Sequence, residues 1–559
     1  MNIYPLTPAG RESALIEASG DYSRLLYDTK GIRVTPATAI KNVVPDANTA
    51  VTVSYFGAIG DGVQDDTDAL TAAFYLGVQT GRPVLMEPKK YLVSKPININ
   101  LADKRLFIKA GGATVTTATA DAFSPYVCFF DITGSAQSQI GIESLTIEAN
   151  QAGNYSTSRS RGNMVGLGLK GVGNVILRDV VSKNFGFAGV WIYYADTALI
   201  ENCSAINCKY VGLLMQSCTD VNVSGGVYSY NGGTNGSTVE GYGVSCGTKY
   251  SSQDRNNSRI VIDGLTCANN VGKGIDAHNC IGLSVTKNHI YGFGYHGIYA
   301  VNEGGFKSVA DVNINGNFID GSSSPSLDGA CIGIYAGAYG AASYTGDVKI
   351  SGNTVKNISM SSNSNIGILI SNGSSGYAPD SVRVSGNCLM NAGKDGASPA
   401  SVIKISNDAI PVKSLIVSEN IIYQSEACTN GILGGPAATS VFSGNVITTT
   451  SSFVNGIYPD PSSACVVYGN VLKGSFSSAS IAVFQDTKQI TRANVVNGSV
   501  MRDVIYAGSS IDFGASPPAS GYYTAGSVRF NSAPASGQAK GWRCVASGSP
   551  GTWVSEGSL

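Results

Sequence analysis

The sequence predicts an all-β chain built as a parallel β-helix, a solenoid of short stacked strands. Three observations predict it. The first is a recurring strand end. "VNINGN" closes at Asn317, "VKISGN" at Asn353, "VRVSGN" at Asn387, "LIVSEN" at Asn420, "VFSGN" at Asn445 and "VVYGN" at Asn470. Weaker copies end at Asp179, Asn202, Gly226, Leu265 and Asn288. Spacings of 23 to 39 residues are those of a solenoid repeat. The second is an interleaved series: "AGVWIYY", "VGLLMQS", "YGVSCG", "KGIDAHN", "HGIYAVN", "IGIYAG", "IGILIS", "NGILGG" and "NGIYPD". Each is a glycine followed by alternating apolar positions, the signature of a short strand. The third is composition. Glycine is 69 of 559 residues and charged residues are 13%, which favours many turns over long surface helices.

These repeats define the coil. Two or three short strands per coil are expected, separated by Gly or Asn turns. Nothing between them is long enough for a crossover helix, which excludes a doubly wound α/β fold. The leucine scaffold of leucine-rich repeats is absent, and a propeller needs four strands per blade. Coils stacked about 4.8 Å apart, 12 or 13 of them, span on the order of 60 Å. The recurrent Asn is expected to take the left-handed turn conformation and to bond its counterparts above and below.

The stretch "YFGAIGDGVQDDTDALTAAF", Tyr55 to Phe74, places four aspartates and three glycines before an apolar run. Ala69, Leu70, Ala72, Ala73, Phe74 and Leu76 fall on one helical face. Asp65, Asp66 and Thr67 precede that face as helix caps, and Gly60 and Gly62 suit a turn. The carboxylate that a calcium loop needs at its twelfth position is missing. The expected element is a capping helix, Asp65 to Phe74, over the open first rung.

"FGAIGDGVQDDTDAL", followed by "GRPVLMEPKKYLV", resembles the opening motif of the pectate-lyase superfamily. The usual Pro-x-Gly-x-Tyr stands here as Pro88, Lys89, Lys90, Tyr91, without the glycine. In that family, and above all in phage tailspikes and capsule depolymerases, the motif begins a right-handed parallel β-helix. The resemblance therefore implies that handedness. The expected organisation is a short head over residues 1–50, with helical hints around Arg11 to Leu26. A β-helix follows over 51–505, then a small β-module over 506–559 that holds Trp542 and Trp553 and is similar to C-terminal modules of phage tail proteins.

Net charge is −1, so no broad basic surface invites nucleic acid or anionic lipid. No apolar run reaches 18 residues, and the first 20 lack the basic and apolar segments of a signal peptide. No membrane span is expected. The 12 cysteines form no Cys-x-x-Cys or Cys/His zinc pattern and read as buried free thiols. No cofactor or metal is expected.

Alternation places every second strand residue outward. One outward column reads Trp191, Leu214, Ser245, Asp276, Tyr299, Tyr335 and Leu369. Its neighbour reads Tyr193, Gln216, Gly247, His278, Val301, Gly337 and Ser371. Asp276 and His278 are the only ionisable pair in these columns. The three histidines, His278, His289 and His296, lie within 19 residues. Asp276, His278, His296, Glu240 and Glu303 are the candidate catalytic residues, and His289 reads as structural. Asp276 is expected to be an outward carboxylate that folding does not need. Trp191, Tyr193, Tyr299 and Tyr335 suit sugar rings, whose apolar faces stack on aromatics. Arg255, Arg259 and Lys273 are candidate binders of substrate carboxylates.

The resemblance implies a homotrimeric phage tail protein that binds and cleaves a bacterial surface polysaccharide. It implies a place on the virion tail, action at the extracellular host surface, synthesis in the host cytoplasm, and attachment of residues 1–50 to other tail or baseplate proteins. From the residues, hydrolysis needs two carboxyls, which Asp276 with Glu240 or Glu303 would supply. Elimination instead needs a base such as His278 and a cation such as Arg255 or Lys273. Hydrolysis is placed first because basic residues are sparse on this wall. Elimination and a non-catalytic receptor-binding fibre are the alternatives.

Overall fold

The structure is a computed structural model that describes residues 26–27, 33–34, 50–118, 128–150, 164–235, 238–247, 255–303, 310–322, 331–339, 346–358, 365–371, 379–396, 399–406, 411–482, 489–500, 503–505 and 510–559. They fall into two compact units, Met1–Phe293 and Gly294–Leu559. In the head, Leu26–Tyr27 pairs antiparallel with Arg33–Val34. Of the helical reading over Arg11 to Leu26, residues 11–25 lie outside those described, and Leu26 lies in this strand instead.

The helix of the first unit spans Thr67–Thr80 and buries Ala69, Leu70, Ala72, Ala73, Phe74, Leu76 and Val78. It packs on the strands Ile97–Asn100 and Arg105–Lys109, covering the first coils as expected. Gly77 permits this approach, since a Cβ there would lie 2.6 Å from Val84 Cγ2. The aspartates divide their work differently from the capping expectation. Asp65 accepts from the Thr67 backbone N–H at 3.0 Å. Asp66 makes no side-chain cap. Its buried carboxylate turns back and accepts from Ile59 N (2.7 Å) and Gly60 N (3.0 Å). Asp61 accepts from Val63 N and Gln64 N, both at 2.8 Å. The cluster is a turn, a cap and a loop clamp.

Each complete coil of the first unit carries three strands, the larger of the two numbers expected. The coil that begins at Ala188–Tyr193 continues through Thr197–Glu201 and Ser204–Ile206. Each strand pairs in parallel with its equivalent one coil on, at Val211–Gln216, Thr219–Ser224 and Val227–Ser229. The third strand is only three residues long, too short for an alternation pattern to stand out in sequence. The interior is apolar: Val175, Leu177, Ile192, Ile200 and Ala205 are buried in successive strands. Full burial of each Val, Leu or Ile contributes roughly 1.5–3 kcal/mol. All 12 cysteines are free and 11 are buried. Burial pushes the thiols of Cys203, Cys208 and Cys267 up to about 12.

The second unit repeats the three-strand coil, as in Ile366–Ser371, Ser381–Ser385 and Cys388–Met390. Here the turn expectation is corrected. Asp179 and Asn202 in the first unit do take left-handed φ angles of 51° and 52°. In the second unit the residue before the recurrent Asn takes that conformation: Gly316, Gly352, Gly386, Gly444 and Gly469 at 62° to 65°. The Asn itself turns inward, fully buried. Asn353 N donates to Asn387 Oδ1 (3.0 Å), Asn387 N to Asn420 Oδ1 (3.1 Å), and Asn420 N to Asn445 Oδ1 (3.1 Å). The bonding to counterparts above and below is as expected. It runs inside the coils because an outward Asn at an exposed turn would bond water instead.

Glu419 breaks the glycine pattern, with φ 57° at the position before Asn420. A side chain costs about 1–2 kcal/mol in this conformation. Glu419→Gly is therefore expected to stabilise the protein by about 1 kcal/mol after the added chain entropy. Chemical denaturation measures it, and an unchanged or lower midpoint contradicts it.

Parallel stacking gives way to antiparallel pairing toward the C-terminus. Gln489–Arg492 pairs antiparallel with Asp503–Ile505. Val528–Asn531, Gly541–Ala546 and Thr552–Ser555 form an antiparallel run beyond it.

Candidate functional site

The wall that carries Asp276 is made by the first strand of successive coils: Val165–Lys170, Ala188–Tyr193, Val211–Gln216, Tyr242–Gly247 and Lys273–His278. Their register is the one read from the sequence. Gly168, Trp191, Leu214, Ser245 and Asp276 are successive partners. So are Lys170, Tyr193, Gln216 and Gly247. Ile275 and Ala277 are buried in the core, which sends Asp276 and His278 to the other face.

Outward does not mean exposed. Asp276 is 2% exposed, Ser245 5% and Leu214 6%. Phe187, Trp191, Tyr210 and Tyr242 pack over the strand around Leu214 and Val211. Asp276 Oδ1 lies 2.7 Å from Lys273 Nζ and 2.7 Å from His278 Nε2. Ser245 Oγ donates to Oδ2 at 3.0 Å. The Lys273 ammonium also sits over the Tyr242 ring, 5.3 Å from its centre. Burial alone would push the Asp276 carboxyl up. The His278 and Lys273 charges and hydrogen bonds outweigh it and hold the group well below the usual carboxylate range. The expectation that folding does not need this carboxylate is corrected: it is the buried counter-ion of a partly buried ammonium.

Strict alternation would have sent Lys273 inward with Ile275. Instead Gly274 and Ile275 are both buried. At the equivalent Gly243 a Cβ would meet interior atoms, Asn270 Nδ2 at 2.9 Å and Cys267 Sγ at 3.1 Å. Two consecutive inward residues shift the phase, so Lys273 joins Asp276 on the outer face. The glycine that opens every strand of this series is the signal for that shift.

The remaining wall residues order the aromatics. Trp191 Nε1 donates to Gln216 Oε1 at 2.9 Å. Lys170 lies 5.7 Å from the Trp191 ring centre and pairs with Asp131 at 2.9 Å. Tyr193 is 6.0 Å from Trp191. Ser245, Gln216, Lys170 and Tyr242 went unassigned from sequence because neutral or distant side chains gain meaning only across coils.

Other expected site residues are placed elsewhere. Arg255 is committed to the fold: its guanidinium donates to Ser217 O (2.6 Å), Ala195 O (2.6 Å) and Asp196 Oδ1 (2.7 Å). Arg259 lies on Asn257–Asp263, a second-strand position, and binds both carboxylate oxygens of Asp220. Neither joins the Asp276 strand. Glu240 ends the hairpin strand Thr238–Glu240, two residues before Tyr242, and is half-buried. His289 is exposed on a third strand, its ring 5.0 Å from Tyr291.

In the second unit, His296 stacks on Tyr299 at 5.0 Å with an interplanar angle of 5°. Tyr335 meets both rings edge-on, at 5.8 Å and 5.1 Å. Tyr299 and Tyr335 are register partners. Glu303 ends the same strand as His296, and its side chain lies outside the described residues. Among the described residues no group of three His, Cys, Asp or Glu side chains is placed to hold a metal ion. No described helix is long and apolar enough to cross a membrane.

No curated protein matches this chain. Among solved structures it is similar to the surface adhesin PfbA of Streptococcus pneumoniae, at 15% identity and TM-score 0.47, over 82% of this chain and 98% of that one. It is similar to tailspike protein 3 of bacteriophage CBA120, at 14% identity and TM-score 0.45, over 99% of this chain and 77% of that one. It is similar to the A-module of a mannuronan C-5 epimerase of Azotobacter vinelandii, at 13% identity and TM-score 0.37, over 80% of this chain and 98% of that one. Residues 165–347 match the family model described as a right handed beta helix region, and the fold is a right-handed parallel β-helix.

Proposed function

We propose that this chain binds a bacterial surface polysaccharide along the Asp276 wall and cleaves it by β-elimination beside a uronate, with His278 as the proton-transferring residue. The resemblance of the opening motif to that of capsule depolymerases supports the polysaccharide. One observation carries the chemistry: both Lys273 Nζ and His278 Nε2 lie 2.7 Å from Asp276 Oδ1. A glycosidase acid needs a carboxyl whose pKa is raised. Asp276 is held the other way, so it is a positioning residue and not a proton donor. A carboxylate only accepts, so His278 Nε2 carries a hydrogen toward it and Nδ1 is the atom that takes a proton. The buried charge then stabilises the imidazolium that forms. In the step itself Lys273 is the cation that faces the uronate carboxyl, His278 takes the proton beside that carboxyl, the electron pair of the broken C–H bond forms the ring double bond, and the glycosidic C–O bond breaks. The leaving oxygen takes a proton from water.

His278→Ala is expected to cut the release of ultraviolet-absorbing unsaturated sugars by ~100-fold or more. New reducing ends without that absorbance would instead favour hydrolysis, with Glu240 the carboxyl to test. Glycan binding without either product would identify a receptor-binding fibre. The proposal includes a homotrimer, for which a chain with only 13% charged residues leaves apolar area at its surface. Sedimentation at micromolar concentration is expected at three times the 57.7 kDa chain mass, and a single-chain mass refutes it.

A further inference from the structure

The column beside Asp276 is the open one. Leu214, Ser245 and Asp276 are covered, whereas Lys170, Tyr193, Gln216, Gly247 and His278 are all partly exposed. These are outward residues of five successive coils, one per coil. Adjacent strands lie about 4.8 Å apart, and a hexopyranose unit in an extended polysaccharide advances by about the same distance. Gly247 is the position with no side chain. It needs no left-handed backbone, and among the described residues an added Cβ would meet only His278 Cβ, at 3.9 Å. Folding among the described residues therefore does not demand glycine there. What the glycine leaves is a notch next to His278.

We propose, resting on the polysaccharide reading above, that this column is a binding track holding one sugar per coil. The notch at Gly247 seats the sugar that reacts at His278. Gln216 serves the next sugar: Trp191 occupies its Oε1, so its amide hydrogens face a hydroxyl. Tyr193 stacks on the third sugar, and its ring is braced by Trp191 at 6.0 Å and Tyr194 at 4.3 Å. The substrate thus runs along the coil-stacking direction, and recognition extends three sugars from the reacting bond on this side.

The test uses the full chain and a panel of purified uronate-containing bacterial capsular polysaccharides, with oligosaccharides prepared from any that the wild type cleaves. Gly247→Leu fills the notch and is expected to cut turnover by ~100-fold or more, as misplacement at a reacting centre does. Its thermal unfolding is expected to match wild type. Tyr193→Ala is expected to raise KM about 3- to 10-fold for chains that reach the third sugar, and to leave shorter oligosaccharides unaffected. Wild-type turnover by a folded Gly247→Leu overturns the track, as does an equal effect of Tyr193→Ala at every length. In those cases a dead His278→Ala still upholds the underlying reading. If the wild type neither binds nor cleaves any panel member, that reading fails and the track with it.

Discussion

Asp276→Asn is expected to lower stability by roughly 3–5 kcal/mol and to abolish most turnover, because breaking a buried ion pair leaves its partner uncompensated. The variant keeps the shape of the side chain but removes the charge. Lys273, 13% exposed, then loses its counter-ion, and His278 is left with a neutral amide oxygen in place of the charged acceptor that fixes its ring. Denaturant midpoints measure the first effect. Lys273→Met in the Asp276→Asn background is expected to recover part of the loss, since it removes the stranded ammonium. A midpoint within about 0.5 kcal/mol of wild type, the range of ordinary surface substitutions, would sink the account. The sign with pH follows from the depressed carboxyl. Its contribution is fully present above the unfolded value of about 3.9 and is lost as pH falls through the lower folded value. The gap between wild type and Asp276→Asn is therefore expected to close in strong acid.

The second large effect belongs to the asparagine ladder. Asn420 is fully buried. Its Oδ1 accepts from Asn387 N (3.1 Å) and Asn387 Nδ2 (2.9 Å). Its Nδ2 donates to Val384 O (2.9 Å) and Asn445 Oδ1 (3.0 Å). Asn420→Ala strands a buried N–H and a buried carbonyl, each worth about 1–3 kcal/mol when unsatisfied, so the loss is expected to be roughly 3–5 kcal/mol. Asn315→Ala is the control. Asn315 is exposed and its side chain donates from Nδ2 to Ser351 Oγ at 2.7 Å, so its loss is expected to stay under about 0.5 kcal/mol. Equal destabilisation by the two variants would show that the ladder adds nothing beyond local turn geometry.

The same two places mark how far the sequence could be read. The repeat ending at Asn353, Asn387 and Asn420 announces both stacking and register, because identical residues at one coil position must lie over one another. Which atom bonds which, and that the preceding residue takes the left-handed turn, was not legible. A glycine and an asparagine side by side both tolerate positive φ, and only the direction of the interior decides between them. The column through Trp191, Leu214, Ser245 and Asp276 was legible for the same reason as the repeat. The burial of Asp276 was not, because its cover comes from Tyr242 and Lys273, side chains that strict alternation assigns to the opposite face.

The sequence by itself determined the solenoid, its parallel register, the capping helix and the face on which Asp276 and His278 lie. All of these follow from periodicity and local backbone preference, which neighbouring residues carry. Only the tertiary structure decided that Arg255 holds the fold, that Asp276 is buried beneath its neighbours, and that the open column runs through Gly247. Those outcomes depend on distances and burial between residues 20 to 60 positions apart in the chain. Desolvation and charge at such sites are set by what stacking brings together, and no local pattern encodes them.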